Sequence, residues 1–125
     1  MGRYLCVLAG GAVGSLARYL LGRAFTQRFP NSTFALGTFV INVTGSFLIG
    51  LLMTLIVERF RLPHYWQLTL VVGLLGGYTT FSSFEYDAYL ATRTGNHWLT
   101  LAYLVGSVAF GYAAVWLGVL AAGKR

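Results

Sequence analysis

Four long apolar stretches, separated by short turn-forming or charged segments, constrain the fold of this 125-residue chain more than any other feature. A helix needs about 20 apolar residues to cross the hydrocarbon core of a bilayer. The stretches predict spans over about 4–25, 34–57, 68–90 and 98–122. Only 10% of the residues are charged, whereas soluble domains carry about 25%. The sequence therefore predicts an all-α, multi-pass integral membrane protein, with 1–125 as a single four-span domain and no soluble domain.

The formal net charge of +6 does not indicate a nucleic-acid partner. The nine basic residues lie scattered at the ends of the apolar stretches, where they flank membrane spans, and do not form a cluster. Cys6 is the single cysteine of the chain, so an internal disulfide is excluded.

The basic residues give almost no preference for one orientation in the membrane. Four spans place both termini on one side, and orientation follows the bias in Lys and Arg between the two sides. One side collects five basic residues, namely Arg3, Arg59, Arg61, Lys124 and Arg125; the other collects four, namely Arg18, Arg23, Arg28 and Arg93. We infer that the chain inserts both ways up and that oppositely oriented copies pair. The alternative is a single orientation fixed by this weak bias.

The third stretch carries a polar interruption, Gly-Gly-Tyr-Thr-Thr-Phe-Ser-Ser-Phe at 76–84. Irregular backbone at membrane depth is tolerated only where it is buried in protein or lines a polar path. Glycine weakens a helix, so we predict a break near Gly76 and Gly77. Carbonyl groups released at such a break need a donor or a cation, and broken transporter helices coordinate alkali ions in this way.

Other polar residues lie within the spans, where each is informative. Thr38 and Asn42 are four residues apart on the second span, and Tyr103 and Ser107 are four apart on the fourth. These groups, with Arg18 on the first span, are mainly donors, and no carboxylate is securely placed in mid-membrane. A donor-rich path suits a small anion better than a cation. The alternative is that each hydroxyl bonds its own helix or joins two helices.

Small residues on the first span predict close helix packing. Gly10 and Gly14 are four residues apart, which is the small-xxx-small spacing that lets a second helix approach.

Three stretches of the sequence resemble the Fluc (CrcB-type) fluoride channels, and the resemblance covers essentially the whole chain. They are 10–19, 37–42 with the asparagine Asn42, and 73–84 with its G-G-x-[ST]-T-F-S-[ST]-F pattern. The resemblance implies four transmembrane helices with the third broken near its middle, in an antiparallel, dual-topology homodimer. It also implies a passive channel in the cell inner (plasma) membrane that exports fluoride and lowers its toxic concentration inside.

The resemblance also implies a role for individual residues. Phe81 and Phe84 would be the pore phenylalanines and Asn42 the pore amide, with Thr38, Ser82, Ser83, Tyr103 and Ser107 along the fluoride path. Arg18 would face the vestibule. The backbone carbonyls of Gly76 and Thr79, from both subunits, would hold a structural Na⁺ at the dimer centre. Two departures are Asp87, where members often carry Glu, and Gly111, where some members continue the polar track.

Other classes fit the residues less well. A small multidrug-type transporter, also four-span and often dual in topology, needs a membrane-embedded glutamate in the first helix, where this chain has Arg18 and no acid. An enzyme is not expected, because two histidines, one cysteine and three acidic residues do not assemble a catalytic triad or a metal cluster. A purely structural membrane protein would not explain the polar interruption at 76–84.

Overall fold

The computed structural model describes residues 1–32 and 34–123. Lys124 and Arg125, which enter the charge count above, lie outside the described residues. Within the described ranges the regular structure is entirely helical, in five helices: α1 (Gly2–Arg28), α2 (Leu36–Arg59), α3 (64–78), α4 (Phe81–Arg93) and α5 (His97–Ala121).

Three of these helices, α1, α2 and α5, are long and apolar enough to cross a membrane. They match the first, second and fourth predicted spans to within a few residues. The third predicted span, 68–90, corresponds to two consecutive shorter helices, α3 and α4.

Two helices contain π-helical turns. The last six residues of α2, Thr54–Arg59, and nine residues of α3, Gln67–Leu75, are wound in this wider form. The π segment of α3 ends directly before the α-helical turn Gly76–Tyr78.

Both glycines near which the break was predicted are helical, and α3 ends directly after them, at Tyr78. The extended residues are Thr79 (φ −80°, ψ 158°) and Thr80 (φ −151°, ψ 122°). Gly77 serves packing, because a Cβ on it would lie 2.6 Å from the carbonyl oxygen of Gly11 on α1. The irregular segment therefore begins just beyond the glycine pair.

Helix α1 packs closely along α3, which confirms the close approach predicted at Gly10 and Gly14. A Cβ on Gly10 would collide with the Thr69 carbonyl oxygen, and one on Gly14 with the Leu74 carbonyl oxygen. Both glycines are buried. This pairing fixes the position of the last turn of α3.

Helices α2 and α5 form a second close pair. A Cβ on Gly50 would collide with the carbonyl oxygen of Val115, and one on Gly118 with that of Phe47. The pairing brings Asn42 on α2 and Ser107 on α5 to the same cavity.

Helix α4 packs through Phe84 and Ala88 against Tyr103 of α5, in the buried core of the molecule. Phe34 and Phe39 cover this cluster. Aromatic packing thus holds α4 at the start of its first turn, directly after the interruption.

The α1–α3 contact predicts a contrast between neighbouring glycines. Gly14→Ala should lower stability by about 1–3 kcal/mol, because the added methyl group meets backbone that cannot move aside. Gly11→Ala is the matched control, since its Cβ would lie 3.8 Å from the nearest atom, the carbonyl oxygen of Gly73. Thermal unfolding of both variants in detergent measures the difference. Equal melting temperatures would contradict the packing described here.

Candidate functional site

The site is built around a pairing between the Asn42 side chain and the Thr80 backbone. Asn42 Nδ2 donates to the Thr80 carbonyl oxygen at 2.9 Å, and the Thr80 amide donates to Asn42 Oδ1 at 2.9 Å. The two residues are 38 positions apart. The Asn42 side chain thus bonds both the amide and the carbonyl of Thr80, two backbone groups that have no helical partner just after α3 ends.

The Thr80 side chain caps the following helix. Its Oγ1 accepts a hydrogen bond from the Ser83 amide at 3.2 Å and donates to Ser83 Oγ at 3.0 Å. A hydroxyl residue at this position satisfies an amide that the first turn of a helix leaves without a partner. Thr80 therefore both ends the interruption and starts α4.

Arg18 on α1 reaches the end of α3. Its Nε donates to the Gly77 carbonyl oxygen at 3.0 Å. The side chain also borders a cavity of about 440 Å³, which we call the vestibule cavity, together with Thr38, Ser83 and Asp87. A vestibule role for Arg18 stays a prediction.

Thr38 and Asp87 are bonded to each other across the vestibule cavity. Thr38 Oγ1 donates to Asp87 Oδ2 at 2.6 Å and so links α2 to α4. The Thr38 hydroxyl therefore donates its hydrogen to a carboxylate. Asp87, the acidic residue that borders this cavity, thus has a hydrogen-bond donor.

A second cavity of about 430 Å³, which we call the inner cavity, is bordered by Asn42, Phe81, Phe84 and Ser107. The ring centroids of Phe81 and Phe84 are 5.9 Å apart. Phe84 is only 6% exposed, whereas Phe81 is 74% exposed. Gly76 and Thr79 border the same cavity, and Thr80 borders both cavities.

Two buried hydroxyl groups of α5 have no hydrogen-bond partner among the described residues. They belong to Tyr103 and Ser107. Tyr103 is 2% exposed, and its ring lies 5.2 Å from that of Phe84 and edge-on to that of Phe34 at 5.0 Å. Buried polar groups are normally bonded, so these two hydroxyls are candidates to bind a ligand. Ser107 borders the inner cavity, whereas Tyr103 borders neither cavity.

Ser82 is a predicted path residue that lies away from both cavities. It is exposed and borders neither the vestibule cavity nor the inner cavity, and the buried Tyr103 also borders neither. Its neighbour Ser83 borders the vestibule cavity. In a helix adjacent side chains point about 100° apart, so Ser82 and Ser83 face different surroundings in the single chain, and the place of Ser82 along the path stays a prediction.

Three features of the site were not assigned from the sequence. Thr80 was given no role of its own, although a hydroxyl residue three positions before Ser83 is typical of a helix N-cap. Ser46 borders the inner cavity, and its Oγ lies 3.5 Å from where a Cβ of Gly111 would be. A hydroxyl of α2 thus lies beside the position where α5 has Gly111.

Tyr78 and Thr44 form the third unassigned feature. Their hydroxyl oxygens are 2.9 Å apart, which joins the last turn of α3 to α2. No sequence pattern pairs residues 34 positions apart.

These features define a class: a small helical membrane protein in which an interrupted helix separates two cavities lined by hydroxyl, amide and aromatic groups. The chain belongs to the CrcB family, because the family model described as "CrcB-like protein, Camphor Resistance (CrcB)" matches residues 5–119. It is 58% identical over 120 residues to the fluoride-specific ion channel FluC of Solibacter usitatus, covering 96% of this chain and 98% of that protein.

Two further relatives bear the same name. The fluoride-specific ion channel FluC of Acidobacterium capsulatum is 44% identical over 118 residues, covering 94% of each chain. That of a Hydrogenobaculum species is 46% identical over 116 residues, covering 92% of this chain and 93% of the relative.

The unpartnered hydroxyl of Ser107 predicts an unusual stability result. Ser107→Ala should leave the melting temperature unchanged or raise it, because it removes a buried polar group that bonds nothing in the described chain. Thr38→Val is the control, and it should lower stability by about 1.5–3 kcal/mol because it removes a bond to a carboxylate. Thermal unfolding in detergent compares them. Destabilisation of the Ser107 variant to the same extent would contradict the assignment.

Proposed function

We propose that this chain forms a fluoride-specific ion channel, through which fluoride leaves the cell passively and its toxic concentration inside falls. The observation that carries the proposal is the buried, unpartnered hydroxyl of Ser107 at the inner cavity, which Phe81 and Phe84 also border. A second unpartnered hydroxyl belongs to Tyr103, whose ring packs 5.2 Å from that of Phe84. Three relatives over nearly the whole chain carry the name fluoride-specific ion channel FluC. An ion channel, rather than an enzyme, also agrees with the mainly donor and aromatic character of the site.

The inner cavity suits a small, strongly hydrated anion. A selective pore has to replace the water around the ion with well-aimed groups. Ser107 supplies a hydroxyl donor at this cavity, and Asn42 Nδ2 retains one hydrogen after donating to Thr80. The rings of Phe81 and Phe84 have electropositive edges. Bulky rings also narrow the path against larger halides.

The vestibule cavity provides the approach. Arg18 and Arg23 both border it, and positive charge lining a cleft raises the local concentration of anions. The Asp87 carboxylate accepts from Thr38 and is thereby partly compensated. Thr80, which borders both cavities, marks the point at which the vestibule cavity meets the inner cavity.

Passive flow is sufficient for export. Hydrogen fluoride crosses a bilayer as a neutral molecule and ionises inside, where the anion is trapped. A potential of 100 mV, negative inside, drives a monovalent anion outward with about 2.3 kcal/mol. No nucleotide-binding motif is visible in the sequence. The proposed location is therefore the plasma membrane, where this potential acts.

In this proposal α3 and α4 together form the third of four membrane crossings. Neither qualifies alone, but α3 is tied along α1 and α4 is packed on α5, both of which are long enough to span the membrane. The amide and carbonyl of Thr80, in the irregular segment, are both bonded to Asn42, as irregular backbone at membrane depth requires. The α3–α4 pair then acts as one transmembrane helix broken near its middle.

The functional unit in this proposal is an antiparallel homodimer. The five-to-four distribution of basic residues supports insertion in both orientations. Phe81 is 74% exposed on the single chain although it borders the inner cavity. A second, inverted copy of the chain would cover this ring and complete the wall of the path.

A structural Na⁺ at the dimer centre fits the residues present. Carbonyl groups in the last turn of a helix lack helical partners, and Gly76 and Thr79 both border the inner cavity. Neutral carbonyl oxygens suit an alkali ion. The ion would supply positive charge at the centre of an anion path, held by Gly76 and Thr79 of both copies.

The phenylalanines give the direct test of the path. Phe81→Ala and Phe84→Ala should each reduce fluoride efflux from liposomes by about tenfold or more, because each removes a wall of the path that replaces hydration. Phe60→Ala is the matched control, since Phe60 is 59% exposed beyond the end of α2 and borders neither cavity. A fluoride electrode measures the efflux. Wild-type rates in both pore variants would refute the assignment of the rings.

Dual topology predicts a divided labelling pattern. With Cys6 replaced by serine and a single cysteine introduced at His97, an impermeant maleimide should label about half of the chains in intact cells, because orientation is not biased. His97 is exposed at the first residue of α5. Labelling of all chains or of none would show a single orientation and contradict the antiparallel dimer.

A further inference from the structure

We infer that two side chains, Asn42 and Thr80, create the cation site by taking the amide hydrogens that a continuous helix would give to Gly76 and Thr79. Each is a positioning residue, acting through the backbone and not through contact with the ion. The inference rests on the Na⁺ site of the proposed function and explains why those two carbonyls in particular are available.

The first step concerns the Gly76 carbonyl. In an α-helix each amide donates to the carbonyl four residues earlier, so the donor for Gly76 is the Thr80 amide. That amide donates instead to Asn42 Oδ1 at 2.9 Å. The helix is regular one residue earlier, where the Thr79 amide donates to Leu75 at 2.9 Å. The first carbonyl of α3 to lose its helical donor in this way is therefore that of Gly76.

The second step concerns the Thr79 carbonyl. Its helical donor would be the Ser83 amide, and this amide donates instead to Thr80 Oγ1 at 3.2 Å. The same Thr80 hydroxyl donates to Ser83 Oγ, which holds it in the capping orientation. One side chain thus releases the Thr79 carbonyl while its own amide releases that of Gly76.

Two neighbouring carbonyls are occupied, and a third, that of Tyr78, belongs to a residue that borders neither cavity. Gly77 accepts from Arg18 Nε at 3.0 Å, and Thr80 accepts from Asn42 Nδ2 at 2.9 Å. The hydrogen-bond donors around the interruption therefore reach some backbone carbonyls and not others. Gly76 and Thr79, both at the inner cavity, lose their helical amides, and the carbonyls of Gly77 and Thr80 acquire side-chain donors.

This arrangement provides a cation site beside an anion path without any negatively charged ligand. A carbonyl oxygen that bonds no amide keeps both lone pairs for a cation. Such a site holds Na⁺ with neutral ligands, so no carboxylate is placed where it would repel a passing anion. By freeing two neutral carbonyls, Thr80 and Asn42 make a cation site possible without the acidic side chains that bind the ion in other cation sites.

Backbone labelling gives a readout of the Gly76 carbonyl that does not depend on conduction. The sequence contains two Gly-Gly pairs, Gly10-Gly11 and Gly76-Gly77. Protein labelled with ¹³C at glycine carbonyls and ¹⁵N at glycine nitrogens therefore gives two carbonyl–nitrogen cross-peaks in solid-state NMR. The Gly10 peak monitors the α1–α3 packing, and the Gly76 peak monitors the site.

The decisive comparison is Thr80→Val against Thr80→Ser in liposomes titrated with Na⁺ in place of choline. In wild type and Thr80→Ser, which keeps the capping hydroxyl, the Gly76 peak should move with Na⁺ and the Gly10 peak should not. In Thr80→Val the Na⁺ concentration at half-shift should rise by about tenfold or more, which corresponds to about 1.4 kcal/mol. An unchanged midpoint in Thr80→Val would overturn the inference.

A second variant guards against misfolding of the first. Asn42→Leu removes the acceptor for the Thr80 amide and should abolish the Na⁺ response of Gly76 with the Gly10 peak in place; a retained response would overturn the inference. Fluoride efflux of the wild type is measured on the same liposomes. Efflux with no Gly76 response to Na⁺ refutes the cation site alone, whereas absence of efflux refutes the proposed channel.

Discussion

The paired hydrogen bonds between Asn42 and the Thr80 backbone are the interaction on which the rest of the site depends. A helix that stops in mid-membrane exposes amide and carbonyl groups, and lipid cannot satisfy them. Asn42 satisfies both groups of Thr80 from a neighbouring helix. Because this bond is made, α3 can end at Tyr78 and α4 can begin at Phe81 with the aromatic pair at its first turn.

Close helix packing sets the geometry around that bond. Glycines bring α1 against α3 and α2 against α5, so the two pairs hold the ends of the interruption in fixed positions. Arg18 adds a bond from α1 to the last turn of α3, and Thr38 adds one from α2 to α4. Polar side chains of α1 and α2 therefore stabilise the interruption, and the buried hydroxyls of Tyr103 and Ser107 bond none of the described residues.

Much of the fold could be predicted from the sequence, and particular residues show where prediction stops. Apolar length alone located α1, α2 and α5, because a membrane span needs a long run without charge. The break was predicted near Gly76 and Gly77, but glycine serves both close packing and helix weakening, and composition does not separate these uses or locate the extended residues. An asparagine within a membrane span needs a polar partner, but Thr80, 38 residues from Asn42, could not be chosen without the fold. The cap by Thr80 is local and was within reach of sequence reasoning.

The central claim is that the cavities on either side of this interruption conduct fluoride and reject larger halides. Liposomes containing the purified wild-type chain, loaded with equal fluoride and chloride, measure this directly when efflux of each ion is followed by its own electrode after a K⁺ ionophore is added. The account predicts rapid loss of fluoride while chloride is retained as in protein-free liposomes. Loss of both ions at similar rates, or no loss of fluoride, would contradict it.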